Sequence, residues 1–224
     1  MILDITAPTL VLLGAWNPRI FQGGWIGKNL FGYEADTEIR GAILTIVKDS
    51  MVKEIPYLDD IGIHVTPERM EIYPNSLEET TRLKAEEVAA NVATTLPHTP
   101  FGAVGVNFNF VEDDPENALL DALQSADSIN QSFRVVGQEF KAAIQLENGV
   151  ILNFSRSVAD DKAVFDFNFH HPKDIINFGE PDGFFNGLIQ RCLTEAEAAL
   201  DSLYGLRGYE IAGHEIPIQN DRAQ

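Results

Sequence analysis

The sequence has a single cysteine, Cys192, among its 224 residues. One cysteine cannot form an intrachain disulfide, and it cannot supply a thiolate metal cluster. The chain also lacks an apolar run of the ~18–20 residues that a membrane-spanning helix requires. Its N-terminal stretch, MILDITAPTLVLLGAW, has no basic residues before its apolar part and contains Asp4, so it predicts a strand and not a signal peptide. We therefore expect a cytoplasmic protein with no membrane association.

Basic residues are scarce. The chain carries 16 Lys and Arg against 34 Asp and Glu, which gives a formal net charge of −18. An acidic surface repels phosphate backbones and anionic lipid headgroups, so we expect no nucleic-acid partner and no membrane partner. The charge favours solubility, and it also suits the docking of a basic protein. The densest acidic stretch covers residues 112–127.

The common catalytic and cofactor motifs are missing as well. The chain contains no GxxxxGK[ST], GxSxG, HExxH or CxxC sequence. The glycines of GGWIG at 23–27 lack the preceding strand and the GxGxxG spacing of a dinucleotide-binding fold. Cys192 lies on the apolar side of a predicted helix, where cysteine behaves as a small hydrophobic residue. The sequence therefore indicates no catalytic residue and no cofactor.

The adjacent histidines His170 and His171 end a strand-like stretch, AVFDFNFHHPKD at 163–174. Neighbouring side chains on a strand point to opposite faces of the sheet. Both could ligate one metal only if the strand had already ended, which Pro172 permits but does not require. We interpret the pair as a strand terminus, and we expect no metal site.

What the chain does contain is clear strand alternation and helical spacing. Ser76 and Glu79 match a capping box, and Asn148-Gly149 between two apolar runs is the strongest hairpin signal. The predicted strands cover 9–16, 38–47, two parts of 60–74, 99–112, 133–146, 150–158 and 162–170. The predicted helices cover 17–32, 76–96, 115–126 and 182–204.

Hairpin signals outnumber parallel crossovers, which predicts an α+β fold with a mainly antiparallel sheet built from meanders and hairpins and covered by two long helices. A meander followed by a long helix occurs twice, at 38–96 and at 133–204. This repetition raises the alternative of two related βββα halves. No linker or low-complexity segment interrupts the chain, so we predict a single domain spanning residues 1–224.

The alternating phenylalanines of the stretch at 163–174 predict its orientation. Phe165, Phe167 and Phe169 carry too much apolar area to remain in water, since each contributes roughly 1.5–3 kcal/mol on full burial. We expect them to pack under the helix at 182–204. His171 should then return to the core side, while His170 points away from the core.

Polar residues on the opposite faces of three predicted strands form the candidate site. If these strands share a sheet, four carboxamides, a carboxylate and an imidazole lie on one surface. Asparagine is a poor strand former, so its repeated use in strands is unusual. The alternative is the solvated face that a half-buried antiparallel sheet has by default. The candidate ligand-binding residues are Asn107, Asn109, Asn153, Asp166, Asn168 and His170.

Two functional hypotheses follow. The first is an acidic, non-catalytic protein that acts by binding. Its partner is either another protein, for which the negative net charge would favour a basic one, or a second copy of the chain that pairs through a sheet edge. The second is a receptor or enzyme for a small polar ligand that uses the asparagine and histidine face, with Asp166 as a possible base. The second hypothesis requires that face to be concave and partly covered.

Part of the chain resembles a known group of proteins. RMEIYP at 69–74, the long helix after it, TPFGAVGVNFNF at 99–110 and LRGYEI at 206–211 together look like a sporadically distributed group of uncharacterised bacterial proteins. The resemblance implies a strand-helix-strand core in which an asparagine-containing strand follows the long helix. It implies no activity.

Overall fold

The computed structural model describes residues 1–34, 43–47, 50–123, 136–159, 162–177 and 180–212. Within these ranges the chain has the expected α+β fold with a large, open, mainly antiparallel sheet. Its strands are β1 (Ile2–Asp4), β2 (Leu10–Gly14), β3 (Ile43–Val47), β4 (Ser50–Leu58), β5 (Ile61–Val65), β6 (Arg69–Pro74), β7 (Phe101–Asp113), β8 (Gly137–Gln145), β9 (Ile151–Ala159), β10 (Lys162–Pro172) and β11 (Glu210–Ala212). Its helices are α1 (Gly23–Leu30), α2 (Glu79–Thr95), α3 (Asn117–Leu123), α4 (Pro181–Phe185) and α5 (Leu188–Tyr204), with a 3-10 turn at Lys173–Ile175.

The strand order is β3-β4-β5-β6-β2-β7-β10-β9-β8, with β2 and β7 adjacent at the centre. The short strand β1 lies beyond β2 along the same side of β7 and pairs in parallel with β11. Every other pairing is antiparallel, and the register of β7 with β10 runs without interruption from Lys162 and Asp113 to Pro172 and Ala103. The two central strands therefore join two meanders into one sheet.

The repeated organisation is visible in this order. A strand, a short helix, a meander and a long helix occur twice, first as β2, α1, β3–β6 and α2, and then as β7, α3, β8–β10 and α5. The meanders lie on opposite sides of the β2–β7 pair. Each repeat begins one strand and one short helix earlier than the sequence suggested, and the first meander has four strands instead of three.

One face of the sheet, called here the apolar face, forms the core with the helices. The alternating residues of the central strands on this face, such as Leu12, Val104 and Phe110, are fully buried and share one cluster with α2 and α5 residues such as Val88 and Ile189. The opposite face carries most of the polar side chains of the same strands and is called the polar face.

The predicted burial of the three phenylalanines is confirmed. Phe165, Phe167 and Phe169 are at most 2% exposed. Phe165 contacts Tyr204 of α5 with the ring centroids 5.0 Å apart. The three rings therefore pack in the core beneath the helices.

The histidine pair divides as expected at the end of β10. His171 is buried on the apolar side, and its Nδ1 lies 3.1 Å from the Phe169 carbonyl oxygen. His170 belongs to the polar face, opposite Gly105 and Ile151. The strand ends at Pro172, which cannot donate a hydrogen bond to a further ladder.

The last helix differs from the prediction of one continuous helix over 182–204. The chain forms α4 and α5 with a break at Gly187, whose φ of 69° lies in the left-handed region. The buried carboxylate of Glu86 in α2 accepts hydrogen bonds of 2.7 Å from the backbone N–H groups of Gly187 and Ile189. Glu86 thus satisfies donors that the start of α5 would otherwise leave without partners.

Two predicted helix starts are wrong. The helix expected from Asn17 and Pro18 begins at Gly23 instead, because the Asn17 side chain accepts a hydrogen bond from the backbone of Arg19 and holds a turn. The helix expected to begin with a capping box at Ser76 begins at Glu79 instead. Its N-cap residue is Glu78, whose side chain makes no capping hydrogen bond. The Ser76 hydroxyl instead lies within hydrogen-bond distance of the Glu78 N–H and donates to Thr81.

The hairpin expected at Asn148-Gly149 joins β8 and β9. Of the two turn residues, only Gly149 has a positive φ, 83°, while the Asn148 side chain accepts a hydrogen bond from the Val150 N–H.

The strand β4 was not predicted from the sequence. Parts of several predicted elements, at 38–42, 124–126 and 133–135, and the turn at 160–161 lie outside the described residues. Among the helices that the structure describes, none is long and apolar enough to cross a membrane.

Candidate functional site

Two rows of polar side chains cross the polar face at the centre of the sheet. The first row contains Asp4, Asn109, Asp166 and Ser155, which occupy directly opposed positions on β1, β7, β10 and β9. The Asn109 carboxamide donates to Asp166 Oδ1, and the Ser155 hydroxyl donates to Asp166 Oδ2 over 3.0 Å. The central carboxylate therefore accepts a hydrogen bond from each neighbouring strand.

The second row is a chain of carboxamides. Asn153 donates to Asn168 over 2.8 Å, Asn168 donates to Asn107 over 2.6 Å, and Asn107 donates to the Pro8 carbonyl over 2.9 Å. A Cβ at Gly105 would lie 3.3 Å from the Asn168 carboxamide nitrogen, so the glycine keeps space for this row. The carboxamides run in one donor direction across β9, β10 and β7.

The β1–β2 connection forms the wall of a cleft beside both rows. The cleft has a volume of about 320 Å³, at the lower end of the range for small-molecule sites. The described residues that line it include two carboxylates, Asp4 and Asp166, and no Lys, Arg or His. One Asp4 oxygen accepts a hydrogen bond from the Thr6 N–H. The arrangement offers acceptors and negative charge to a ligand.

The predicted site residues all lie on this face. Asn107, Asn109, Asp166 and Asn168 line the cleft. Asn153 joins them through its hydrogen bond to Asn168, while His170 lies on the next row, away from the lining residues. Ligand binding by these residues stays a prediction.

A second cavity, of about 220 Å³, lies between the end of β10 and α5. It brings together His171, Arg191, Cys192 and Glu195. Burial, followed by the nearby Glu195 carboxylate, raises the pKa of Cys192 to about 12, so the thiol is protonated at neutral pH. Burial also lowers the pKa of His171, although hydrogen bonds to backbone carbonyls partly oppose that effect. This cavity therefore lacks an activated thiolate.

A buried carboxylate lies on the polar face of the first meander. Glu71 is 5% exposed, and its Oε2 accepts a hydrogen bond from the Tyr73 hydroxyl over 2.9 Å and lies 2.6 Å from His64 Nδ1. Arg69 contacts the other oxygen at 2.9 Å. Burial, followed by the hydrogen bond to Glu71, raises the pKa of Tyr73. The partners satisfy Glu71, so this cluster is explained as a structural one.

The outer edge of β8 is a further notable surface, and no described strand pairs with it. On its apolar side Phe140 and Ile144 are 49% and 43% exposed, and Val136, directly before the strand, is 79% exposed. On its polar side Glu139 and Lys141 are exposed and form an ion pair of 2.9 Å. These five residues are called the β8 edge.

Sequence reasoning missed the Glu71 cluster and the exposure of the β8 edge. A turn at 66–68 would place His64 opposite Met70, whereas the register places His64 opposite Glu71, so this pair could not be predicted from the sequence. The exposure of β8 had no local signal, since an apolar residue on a strand predicts burial unless the strand lies at an uncovered edge. In the part of the chain that the structure describes, no group of three or more His, Cys, Asp or Glu side chains could hold a metal ion.

No protein-family model, curated protein or solved structure matches this chain. The resemblance to sporadically distributed bacterial proteins therefore stays a prediction.

Proposed function

We propose that this chain is an acidic, cytoplasmic, non-catalytic protein that acts by binding another protein through the β8 edge. The observation that carries the proposal is the exposure of this nine-residue strand at the end of the sheet, with Phe140 and Ile144 uncovered on its apolar side. Backbone donors and acceptors along such an edge pair readily with an added strand.

The chemistry of the edge supports strand addition. Backbone hydrogen bonds supply affinity in this mode, and alternating side chains supply specificity. The Arg156 guanidinium lies 5.3 Å from the centroid of the Phe140 ring and also donates to the Tyr204 hydroxyl. A large apolar side chain exposed at a solvent-facing edge is typical of a contact surface.

The chemistry of the cavities supports binding in preference to catalysis. The protonated thiol of Cys192 is a poor nucleophile, and the His171 ring is occupied by the backbone carbonyl of Phe169. Both oxygens of the Asp166 carboxylate already accept a hydrogen bond, from Asn109 and from Ser155.

The test is affinity capture from lysate of the source cells with three baits. The wild type should capture a defined protein, either another chain or a differently tagged copy of this one. Phe140→Lys places a charge on the contact and should lose that protein. Ala143→Lys places the same charge on the polar side of the same strand and should retain it. Equal capture by all three baits, or no capture by the wild type, contradicts the proposal.

A second candidate function is supported by the cleft beside the asparagine rows. Its acceptors and two carboxylates suit a compact ligand rich in hydrogen-bond donors, such as a small amine. In a thermal-shift series with small mono- and diamines, a ligand should stabilise the wild type and not Asp166→Asn. Ser157→Ala, on the same face of β9 but outside the lining residues, is the control. Absence of any shift at millimolar amine, or an unchanged shift in Asp166→Asn, contradicts this candidate.

A further inference from the structure

We infer that the protein bound by the β8 edge is a second copy of this chain, paired antiparallel to the first and centred on Phe140. This inference rests on the proposed function and names its partner. It follows from the order of side chains along the strand, which is complementary to its own reverse.

Two-fold pairing about Phe140 places residues at equal distances from it opposite each other. Phe140 then faces Phe140 of the partner subunit, and Val136 faces Ile144 of the partner subunit. Phe140 and Ile144 lie on the apolar side and Val136 directly precedes the strand, and the three side chains are between 43% and 79% exposed in the single chain. Pairing removes them from water together, and aromatic and β-branched cross-strand pairs stabilise a sheet.

The charges on the polar side agree with the same register. Glu139 faces Lys141 of the partner subunit, and Lys141 faces Glu139 of the partner subunit. Each charge already has its opposite on its own strand at 2.9 Å, so the dimer places the four charges in an alternating set. Opposite charges on directly facing positions favour pairing, and like charges oppose it.

The registers centred on the two adjacent residues do not have this complementarity. Centring the pairing on Glu139 places that carboxylate opposite its own copy, and centring it on Lys141 places two ammonium groups opposite each other. A centre between two residues would bring apolar-side and polar-side positions together, since side chains alternate with a period of two. Phe140 is therefore the one centre within 139–141 that satisfies both faces of the strand.

The experiment is sedimentation velocity of the full chain over a concentration series at about 0.15 M salt, where the Debye length of about 8 Å screens the repulsion between two acidic chains. The wild type should show a concentration-dependent monomer–dimer equilibrium. Glu139→Lys and Lys141→Glu each convert both facing ion pairs into like-charge pairs and should raise the dimer Kd about tenfold or more.

An equimolar mixture of these two variants supplies the decisive result. In the mixed dimer both lysines of one chain face both glutamates of the other, so the heterodimer should form with a Kd close to that of the wild type. Rescue on mixing also shows that both variants are folded. Phe140→Lys should remain monomeric at every concentration, alone and in either mixture.

Other outcomes overturn the inference. A wild type that stays monomeric, a dimer whose Kd ignores the charge variants, or variants that do not rescue each other would each exclude self-pairing in this register. If the wild type is monomeric but Phe140→Lys still loses a captured protein that Ala143→Lys retains, the proposed function stands and its partner is a different chain. If both experiments fail, both proposals fall.

Discussion

Phe167 shows most clearly how burial and exposure divide neighbouring positions of β10. It is 2% exposed and contacts the rings of Phe110, Phe154 and Phe169, with centroid distances of 5.9, 5.0 and 6.5 Å. Phe167→Ala should lower the free energy of unfolding by about 3–5 kcal/mol, because the removed ring leaves a cavity that the core fills only in part. Urea denaturation measures the loss.

The control for this prediction is His170→Ala, three residues further along the same strand on the polar face. Its effect should stay within about 0.5 kcal/mol, the usual range for a surface position. A large loss of stability in His170→Ala together with a tolerated Phe167→Ala would reverse the orientation of the strand.

Glu86 predicts a pH dependence. Burial raises its pKa above the ordinary value, and the backbone donors of Ile189 and Gly187 with the guanidinium groups of Arg191 and Arg82 offset only part of this effect. The folded chain therefore keeps the proton over a pH range in which the unfolded chain has lost it, and the contribution of this group to stability falls as the pH rises through that range.

The test of this dependence compares the wild type with Glu86→Gln, which cannot titrate. At acid pH the variant should be less stable by about 1–3 kcal/mol, because one backbone donor at the start of α5 loses its acceptor. The difference should narrow as the pH rises from about 4 toward neutrality. Urea denaturation across this range measures it, and a difference that widens with pH would show that the pKa is lowered.

At the scale of single residues, the candidate site could be partly predicted. Strand alternation placed Asn107, Asn109, Asn168 and the others on one side, because the side chains of a strand repeat with a period of two. The hydrogen bonds among them depend on which strands are neighbours. The role of the Pro8 carbonyl as the last acceptor of the carboxamide row could not be predicted, since it lies almost a hundred residues away.

Among the elements, the break between α4 and α5 depends on Gly187. Its positive φ of 69° is unfavourable for any residue with a Cβ, and a Cβ there would also lie 3.3 Å from the Arg191 guanidinium. Gly187→Ala should cost about 1–2 kcal/mol of stability. Gly183→Ala, inside α4 with nothing within 4 Å of the new Cβ, should be neutral or stabilising by up to about 1 kcal/mol.

Denaturation of both variants measures these effects. Equal costs in Gly187→Ala and Gly183→Ala would show that the left-handed conformation at the break is not the cause.

The prediction of one unbroken helix over 182–204 was wrong for a related reason. Helical spacing of apolar residues continues across the break, so the pattern alone gives no stop. Gly187 is the local signal, yet a glycine inside a helical pattern is often tolerated. The Glu86 carboxylate, which comes from another helix, satisfies the donors that the break exposes.

At the scale of the whole molecule, the net charge of −18 predicts a response to salt. Repulsion among like charges destabilises the compact state, and added ions screen it. Raising NaCl from about 20 to about 200 mM at fixed protein concentration should raise the thermal midpoint by roughly 2–4 °C, which corresponds to about 1 kcal/mol. Differential scanning fluorimetry measures the shift. A falling midpoint would show that surface ion pairs contribute more than the repulsion.

The sequence by itself determined the class of fold, the strands of the second meander, the face to which Phe165, Phe167 and Phe169 point and the net charge. These properties follow from local alternation and from composition, which do not depend on distant parts of the chain. The tertiary structure alone decided that β2 lies beside β7, that the β1–β2 connection borders the asparagine rows, and that β8 lies at an uncovered end of the sheet. Strand order is set by the packing of residues far apart in sequence, so each side chain's local pattern predicts its face but not its neighbours.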